Sequence, residues 1–264
     1  KSLMMDWEPY RELAQDTVSA AGHALVKHRD EWREIAEESG RDIKLDGDTA
    51  SEQMIYDLLS DTPFPILSEE RGGKIPRDTT APYWVVDPLD GSFNYRHELP
   101  CFAISIALCQ GKKPRVGAIR VVPEAKTYSC SPATSALGNG QKIYVSSTSH
   151  VKDAVLATGF PVARSYHETA LDGFLRGVQA FKKIRMLGSA ATSLAWVACG
   201  RMDAYWEEDI FWWDVAAGVA MVESAGGKVI ARQGSSAHQW HILALNGKLQ
   251  PDAIEALLIS EESA

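Results

Sequence analysis

The chain has 264 residues, of which 45% are hydrophobic and 23% are charged, and its 35 acidic and 27 basic residues give a formal net charge of −8. No block of Lys or Arg stands out, so direct binding of nucleic acid is not expected, and no apolar run reaches the roughly 18 residues of a membrane span. Four scattered cysteines without a CxxC pair indicate reduced thiols, and the first residues lack an apolar signal core. We therefore expect a soluble, cytoplasmic protein with ample material for a core.

The first half of the chain predicts helices followed by a run of strands. Apolar residues at helical spacing predict one long helix from Asp6 to about Glu38 and a second over residues 49–60. PFPILSEE, WVV, CFAISIALC, RVGAIRVV and KTYSCS are β-like runs, and the last three predict an antiparallel meander because turn signals separate them. Residues 143–146 weakly predict a further strand.

The second half alternates strands with helices. Strands are predicted at AVLAT, KIRM, DAYW, KVI and HILALN, and helices over residues 166–181, 189–199, 213–225 and 251–259. This alternation is typical of an α/β arrangement, whereas the first half reads as α+β. We predict two halves, 1–147 and 148–264, which form one compact unit because acidic motifs are distributed across both.

Acidic residues stand at four points where predicted strands give way to loops or helices: Asp48, Glu69-Glu70, Asp87-Pro88-Leu89-Asp90-Gly91-Ser92 and Asp214. Carboxylates at the end of a buried strand are unfavourable unless a positive charge compensates them. Mg²⁺ prefers oxygen ligands, so these acids are candidate metal ligands. Gly91 would let the backbone approach a ligand, and a helix beginning at Ser92 would direct free N–H groups toward an anion. Metal and amide donors together indicate hydrolysis of a phosphate ester.

Each of these motifs also has a structural explanation. Asp-Pro and Asp-Gly favour surface turns, so DPLDGS fits a turn as well. Glu69-Glu70 on its own is more typical of a solvated pair, and Asp214 fits a helix N-cap, a ligand or both. His97 near the turn favours a structural hydrogen bond, and Arg164 is a candidate phosphate contact whose default interpretation is a solvated arginine.

Two longer motifs carry a family resemblance. WVVDPLDGSFNY resembles the first signature of the inositol monophosphatase family, and WWDVAAGVAMVESAGG resembles the second. ILSEE is similar to the family's upstream Glu-Glu element, and the likeness extends over residues 6–246. It implies a layered αβαβα sandwich, an α/β (α+β) fold. It also implies a Mg²⁺-dependent, lithium-sensitive, homodimeric phosphomonoesterase that hydrolyses inositol 1-phosphate or a similar polyol or sugar phosphate by metal-activated water.

The resemblance also implies which residues bind metal. It assigns the first Mg²⁺ to Glu69, Asp87 and the carbonyl of Leu89, and the second to Asp87, Asp90 and Asp214. A third, weaker ion is expected beside Glu69, with Asp48 nearby through water. Asp87 would bridge two ions, so that two cations would compensate its buried negative charge. We expect two or three Mg²⁺ ions per site, with Mn²⁺ as a substitute.

The remaining site residues follow from the same motifs. Glu69, Ser92 and Asp90 are the implied catalytic residues, and the first two would orient the attacking water and take its proton. The amides of Gly91 and Ser92 would hold the phosphate. The organic part of the substrate would contact Gly188, Ser189, Ala190 and Glu207.

Two departures from the family pattern leave questions open. Ser92 stands where Thr is more common, which retains the hydroxyl. The run DIKLDGD around Asp48 contains an extra Asp46, which leaves the third metal site open. The alternative substrates are fructose 1,6-bisphosphate, histidinol phosphate and 3′-phosphoadenosine 5′-phosphate, and NY-x-H-x-x-P modestly favours the inositol type. A regulatory protein-binding role is the alternative from a different class.

Overall fold

Two β-sheets and three helical layers alternate in the structure, a computed structural model that describes residues 5–40, 42–78, 80–161 and 166–259. The helices are α1 Glu8–Lys27, α2 Arg29–Trp32, α3 Asp46–Leu59, α4 Ser92–Arg96, α5 Asp172–Ala180, α6 Ala190–Ala198, α7 Trp212–Ser224 and α8 Pro251–Leu258. The strands of the first half are β1 Ile35–Ser39, β2 Asp42–Leu45, β3 Ile66–Ser68, β4 Pro82–Asp90, β5 Ala103–Gln110, β6 Lys113–Val121, β7 Lys126–Cys130, β8 Leu137–Gly138 and β9 Gln141–Lys142. Those of the second half are β10 Val155–Thr158, β11 Lys183–Arg185, β12 Ala204–Phe211, β13 Lys228–Gln233 and β14 Gln239–Leu245.

The layers confirm the predicted αβαβα sandwich. A seven-stranded sheet has the order β3-β4-β5-β6-β7-β8-β9, and a five-stranded sheet has the order β11-β10-β12-β14-β13. Helices α1 and α3 pack on one face of the larger sheet, and α6 and α7 lie between the two sheets. The outer face of the smaller sheet is covered by α5 and α8, whose apolar residues share a core with β10, β12 and β14.

Strand β4 shows how the sequence builds two cores at once. Because side chains alternate along a strand, Trp84 and Val86 pack into the core beneath α1 and α3. Tyr83 and Val85 point the other way, into the core shared with α6 and α7. A strand buried on both faces needs an unbroken apolar run, which is what WVV supplies before the first acid, Asp87.

The prediction of one helix from Asp6 to Glu38 is wrong. Helix α1 ends at Lys27, and after the single turn α2 the chain forms the antiparallel hairpin β1–β2. The reason lies in the burial: every residue of β1 is exposed, so residues 35–39 offer no apolar stripe to hold a helix against the sheet. The hairpin brings its side chains to the cleft described below.

Smaller differences concern element ends. Helix α3 begins at Asp46, three residues earlier than predicted, and α5 begins at Asp172 after a 3₁₀ turn over Glu168–Leu171. Residues 143–146 form no strand, and the nearest strands are the paired two-residue strands β8 and β9. The meander of β5, β6 and β7 and the helices α6, α7 and α8 are confirmed to within one residue or a few.

The larger sheet uses residues 66–142 and the smaller sheet residues 155–245. The division into halves at residues 147 and 148 stays a prediction. Within the described ranges, no helix combines the length and the apolar character that crossing a bilayer requires.

Candidate active site

Two acidic residues lie side by side at the end of β3 because β3 and β4 are adjacent parallel strands. Ser68 and Val86 are paired in register, and the next residue of each strand is an acid, Glu69 and Asp87. The N–H of Glu69 donates to the carbonyl of Val86 at 3.2 Å, which fixes the turn. The Glu69 carboxyl lies within hydrogen-bonding reach of Asp87.

A β-bulge brings Asp90 to the same side of the sheet as Asp87. In a regular strand, residues three apart point to opposite faces. Here Asp87 pairs with Ser105 and Asp90 with Ala103, so three steps along β4 match two steps along β5. Pro88 at the break has no N–H to donate to the ladder. The bulge therefore directs both carboxyls to one place.

Asp214 completes this group from the other end of the chain. Helix α7 begins at Trp212 with Phe211 as its N-cap, so Asp214 is the third helical residue and the N-cap interpretation is wrong. A carboxylate in the first turn interacts favourably with the helix dipole. One ligand oxygen each from Asp87, Asp90 and Asp214 lie within 4.8 Å of one another. We call these three residues the aspartate trio.

The N-terminus of α6 holds Asp90 in place. Ser189, the N-cap of this helix, donates its hydroxyl hydrogen to Asp90 Oδ2 at 2.6 Å. The N–H of Ala191 donates to the same oxygen at 2.7 Å. Ser189 is only 4% exposed, so its hydroxyl orients a member of the trio.

Asp48 and Ser92 form a second polar pair beside the trio. The Ser92 hydroxyl lies 2.7 Å from Asp48 Oδ1 and 3.0 Å from the carbonyl oxygen of Leu89, so its single hydrogen can be donated to either acceptor, and the shorter distance favours Asp48. The other Asp48 oxygen accepts the N–H of Leu45 at 2.5 Å, which caps the start of α3. Asp48 is 1% exposed. This carboxyl can therefore receive a proton through the hydroxyl of Ser92.

The turn at Gly91 brings two predicted substrate segments together. Gly91 has a φ of +92°, a left-handed conformation that favours glycine. A Cβ atom there would approach the carbonyl oxygen of Gly188 to 3.0 Å. Helix α4 begins at Ser92, as predicted, and Asn94 donates to the carbonyl of Leu187 at 2.7 Å, which ties the two segments.

Glu207 lies in the wall on the side of the smaller sheet. It belongs to β12 and is 8% exposed. Because β10 and β12 pair in parallel with Thr158 opposite Trp206, the next residues, Gly159 and Glu207, face each other. A Cβ atom at Gly159 would come within 2.5 Å of Glu207 Oε1. The glutamate therefore occupies space that only a glycine leaves free.

These residues line one cleft of about 540 Å³. Its other walls are apolar, with Phe160, Pro161, Ile210 and Phe211 facing the polar side. Eight of the described lining residues are acidic and one, Lys44, is basic. This size suits a small molecule such as a sugar-sized ester, and the excess of negative charge requires cations.

The crowded carboxyls have raised pKa values. Loss of water raises the pKa of Asp48 to about 7, of Asp90 to about 6 and of Glu207 to about 8. The pKa values of Asp87 and Asp214 lie well above the ordinary range because burial and the neighbouring carboxylates both disfavour ionisation. Glu69 is exposed as a whole residue, yet its carboxyl borders the base of the cleft, where loss of water and the charges of Asp87 and Asp48 raise its pKa.

The donor set fits a hard divalent cation. The trio offers carboxylate oxygens alone, which Mg²⁺ and Mn²⁺ prefer over softer metals. Among the ion pairs of the described residues, none includes a member of the trio, so no base there neutralises it. Bound cations would compensate the charge that burial and crowding make unfavourable.

The structure brings the predicted site residues into one cleft. Glu69, Asp87, Leu89, Asp90, Gly91, Ser92, Gly188, Ser189, Ala190, Glu207 and Asp214 line it, and Asp48 reaches it through Ser92. Arg164 lies outside the described residues. Sequence reasoning missed Lys44, because the segment was assigned to a helix and a loop. It also missed Gly159, because its partner Glu207 is 48 positions away.

Comparisons with known proteins show which family this chain resembles. A sequence profile of the inositol monophosphatase family matches residues 6–262. The inositol-1-monophosphatase of Caulobacter vibrioides is 34% identical over 85% of this chain and 90% of its own length. The Nus factor SuhB of Pseudomonas aeruginosa is 34% identical over 91% and 93%. The solved inositol monophosphatase of Anabaena superposes with a TM-score of 0.83, at 32% identity and 96% coverage of both chains.

Proposed function

The chain belongs to the inositol monophosphatase family of phosphoric monoester hydrolases, and from this premise we propose that it hydrolyses inositol 1-phosphate or a similar polyol or sugar phosphate with Mg²⁺ as its cofactor. The observation that carries the proposal is the aspartate trio. One carboxylate oxygen each from residues 87, 90 and 214, of which the first two are buried and the third half-buried, lie within 4.8 Å of one another, beside Glu69 and in a cleft open to a small molecule.

We assign the metal ligands as the sequence predicts: Glu69, Asp87 and the Leu89 carbonyl for one ion, and the trio for another. Bound Mg²⁺ would supply Lewis-acid stabilisation of the phosphoryl oxygens and of the departing alkoxide, and would make a water acidic near neutral pH. Mn²⁺ has the same preference for oxygen ligands and is expected to substitute.

The protein's own residues would prepare the attack. Ser92 lies between Asp48 and the cleft, so its hydroxyl can accept a hydrogen bond from a water while it donates to Asp48. Asp48 can then take up the proton, because its Oδ1 already lies 2.7 Å from the Ser92 hydroxyl and accepts its hydrogen. Glu69 would orient the same water, and Ser189 and Ala191 would keep Asp90 in its ligand position.

The organic part of the substrate would lie between Glu207 and the segment 188–190. A carboxylate accepts hydrogen bonds from the hydroxyls of a polyol or sugar. Phosphate oxygens would meet the amides of Gly91 and Ser92 at the start of α4. Phe160 and Phe211 also line the cleft, and their rings give it an apolar side.

The test is release of phosphate from a panel of inositol 1-phosphate, fructose 1,6-bisphosphate, histidinol phosphate and 3′-phosphoadenosine 5′-phosphate, each with and without Mg²⁺. We expect metal-dependent turnover that is fastest with the first substrate. Faster turnover of another member would reassign the substrate, and no metal-dependent turnover of any member would contradict the proposal.

Lithium should inhibit turnover, because Li⁺ can occupy a weakly held Mg²⁺ position. A steady-state assay in tens of millimolar Li⁺ checks this, with K⁺ at the same concentration as the control. Unchanged turnover would count against the proposed metal arrangement.

We also propose that the protein is a cytoplasmic homodimer. Sedimentation or light scattering at several concentrations tests the dimer, and cell fractionation tests the compartment. The regulatory role is not favoured, because the complete ligand set supports catalysis, although some relatives are named Nus factors. Pull-down with an Asp90→Asn variant would separate partner binding from hydrolysis.

A further inference from the structure

A lysine ammonium lies in the outer part of the acidic cleft. Lys44, on β2, forms an ion pair with Glu70, whose side chain is only 11% exposed. Across the hairpin, Lys44 pairs in register with Glu37. Its charge also acts on the carboxyl of Asp48. One cation thus serves acids from three elements, which are β1, the turn after β3 and α3.

The family resemblance implies a third, weaker ion close to this position. That ion is expected beside Glu69, the neighbour of Glu70 in the chain, with Asp48 nearby through water. An ammonium offers three N–H donors and can satisfy several carboxylate oxygens at once. A divalent cation placed beside it would meet strong repulsion and would find Glu70 already paired.

The inner ions would not meet this obstacle. The ion pair of Lys44 is with Glu70, and the aspartate trio has no ion pair among the described residues. Asp87 and Asp90 are also buried and Asp214 is half-buried, whereas the side chain of Lys44 is 34% exposed. The hairpin therefore places one positive charge in the outer part of the cleft, paired with Glu70, and the trio has no such partner among the described residues.

We propose that the Lys44 ammonium occupies the outer cation position, so that this chain binds two divalent ions per active site instead of three. The inference rests on the proposed function, because it presupposes that the trio and Glu69 hold the two inner ions. It assigns the β1–β2 hairpin a role in setting the metal content of the site.

The test counts Mn²⁺ ions bound per chain, by calorimetry and by the loss of the free-ion paramagnetic resonance signal. We expect two ions on the wild type. Lys44→Met keeps the length of the side chain but removes the charge, and it should bind a third ion at least about tenfold more tightly than the wild type does. Lys44→Arg retains the charge and should still bind two.

Two further variants control the result. Lys113→Met removes one positive charge at the exposed start of β6, away from the cleft, and should bind two ions. The double variant Lys44→Met/Glu70→Gln removes both the lysine cation and the carboxylate with which it pairs. This variant should again bind two ions per chain. Lys44→Gln serves as a second uncharged variant if Lys44→Met fails to fold.

The outcomes separate this inference from the function on which it rests. A wild type that binds three ions, or Lys44→Met and Lys44→Gln variants that still bind two, would overturn the inference while metal-dependent hydrolysis persists. A wild type that binds no ion and releases no phosphate would overturn the proposed function itself.

Discussion

At the scale of single residues, the trio combines like charges that destabilise one another without metal. Replacing Asp214 by Asn removes one of these charges and keeps the shape. We expect the metal-free protein to gain about 1 kcal/mol or more in free energy of unfolding at neutral pH, because each unit of raised pKa corresponds to roughly that amount. Activity should fall at least about 100-fold, since a lost Lewis acid removes several kcal/mol of stabilisation.

Chemical unfolding without Mg²⁺ measures the change in stability of Asp214→Asn, and phosphate release with Mg²⁺ measures its loss of activity. Asp16→Asn, the same substitution at an exposed position of α1, is the matched control and should change neither. A loss of stability in the metal-free Asp214→Asn protein would show that the carboxyls do not repel one another as described.

Gly159 tests the substrate wall. An added methyl group would meet Glu207 Oε1 at 2.5 Å, so Gly159→Ala should displace this carboxylate. A substrate hydroxyl left without its acceptor costs about 1–3 kcal/mol, and kcat/KM for the polyol phosphate should therefore fall roughly tenfold. With p-nitrophenyl phosphate, which has no hydroxyls for Glu207, turnover should change less than about twofold.

A double-variant cycle with Glu207→Ala provides the control for Gly159→Ala. If the glycine acts by leaving room for the glutamate, the second substitution adds little to the first. Equal losses with both substrates would instead indicate a general distortion of β10.

Whether these residues can be predicted from the sequence depends on how far away along the chain their interaction partners lie. Asp87, Asp90 and Asp214 stand in dense motifs beside apolar runs, so their chemistry is visible locally. Gly159 carries no such signal, because its constraint comes from the side chain of Glu207 on a neighbouring strand. The same holds for Lys44, whose partner Glu70 follows a different strand.

At the scale of elements, the bulge in β4 and the parallel pair β3–β4 together set the spacing of the acids. Periodicity predicted the strand because its apolar run is unbroken. The hairpin β1–β2 was missed because exposed strands lack the apolar pattern on which such predictions depend. Its side chains line the cleft, Lys44 among them.

Glu52 of α3 anchors the turn that carries Glu69. It is 3% exposed and accepts hydrogen bonds from the Ser68 hydroxyl and from the N–H and Nε–H of Arg71, at 3.0 and 3.1 Å for the arginine. These two residues flank Glu69-Glu70. Glu52→Ala leaves their donors without an acceptor, so we expect a loss of about 1–3 kcal/mol in unfolding free energy and roughly tenfold weaker Mg²⁺ binding.

Calorimetry of Mg²⁺ binding and denaturant unfolding check the Glu52→Ala variant. Glu52→Gln retains an oxygen acceptor and should recover most of the metal affinity. If both variants bind Mg²⁺ like the wild type, the turn keeps its shape without this anchor.

At the scale of the whole molecule, the cleft exists because two sheets share the layer of α6 and α7. The first sheet supplies Asp87 and Asp90, α7 supplies Asp214, and the second sheet supplies Glu207. The layering could be predicted from the family motifs and the order of elements, but the convergence of acids 127 positions apart depends on packing between the sheets. The consequence is a cleft in which acidic groups are concentrated, since eight of its described lining residues are acidic.

This concentration predicts an unusual dependence of stability on pH in the absence of metal. The folded-state pKa values of Asp48, Asp90 and Glu207 are about 7, 6 and 8, whereas carboxyls in the unfolded chain titrate near about 4. Between about pH 4 and pH 8 the folded protein thus binds more protons than the unfolded chain, and its stability falls as pH rises. We expect a loss of more than about 2 kcal/mol between pH 5 and pH 8 in EDTA.

Saturating Mg²⁺ should remove this loss of stability, because the cation binds the deprotonated carboxylates and therefore binds more tightly as pH rises. Urea unfolding at several pH values, with EDTA or with Mg²⁺, measures the two curves. The EDTA curve of Asp214→Asn should be shallower than that of the wild type, because one raised carboxyl is gone. Metal-free stability that stays constant or increases from pH 5 to pH 8 would mean that these carboxyls are not crowded in solution, and the metal assignment would lose its physical basis.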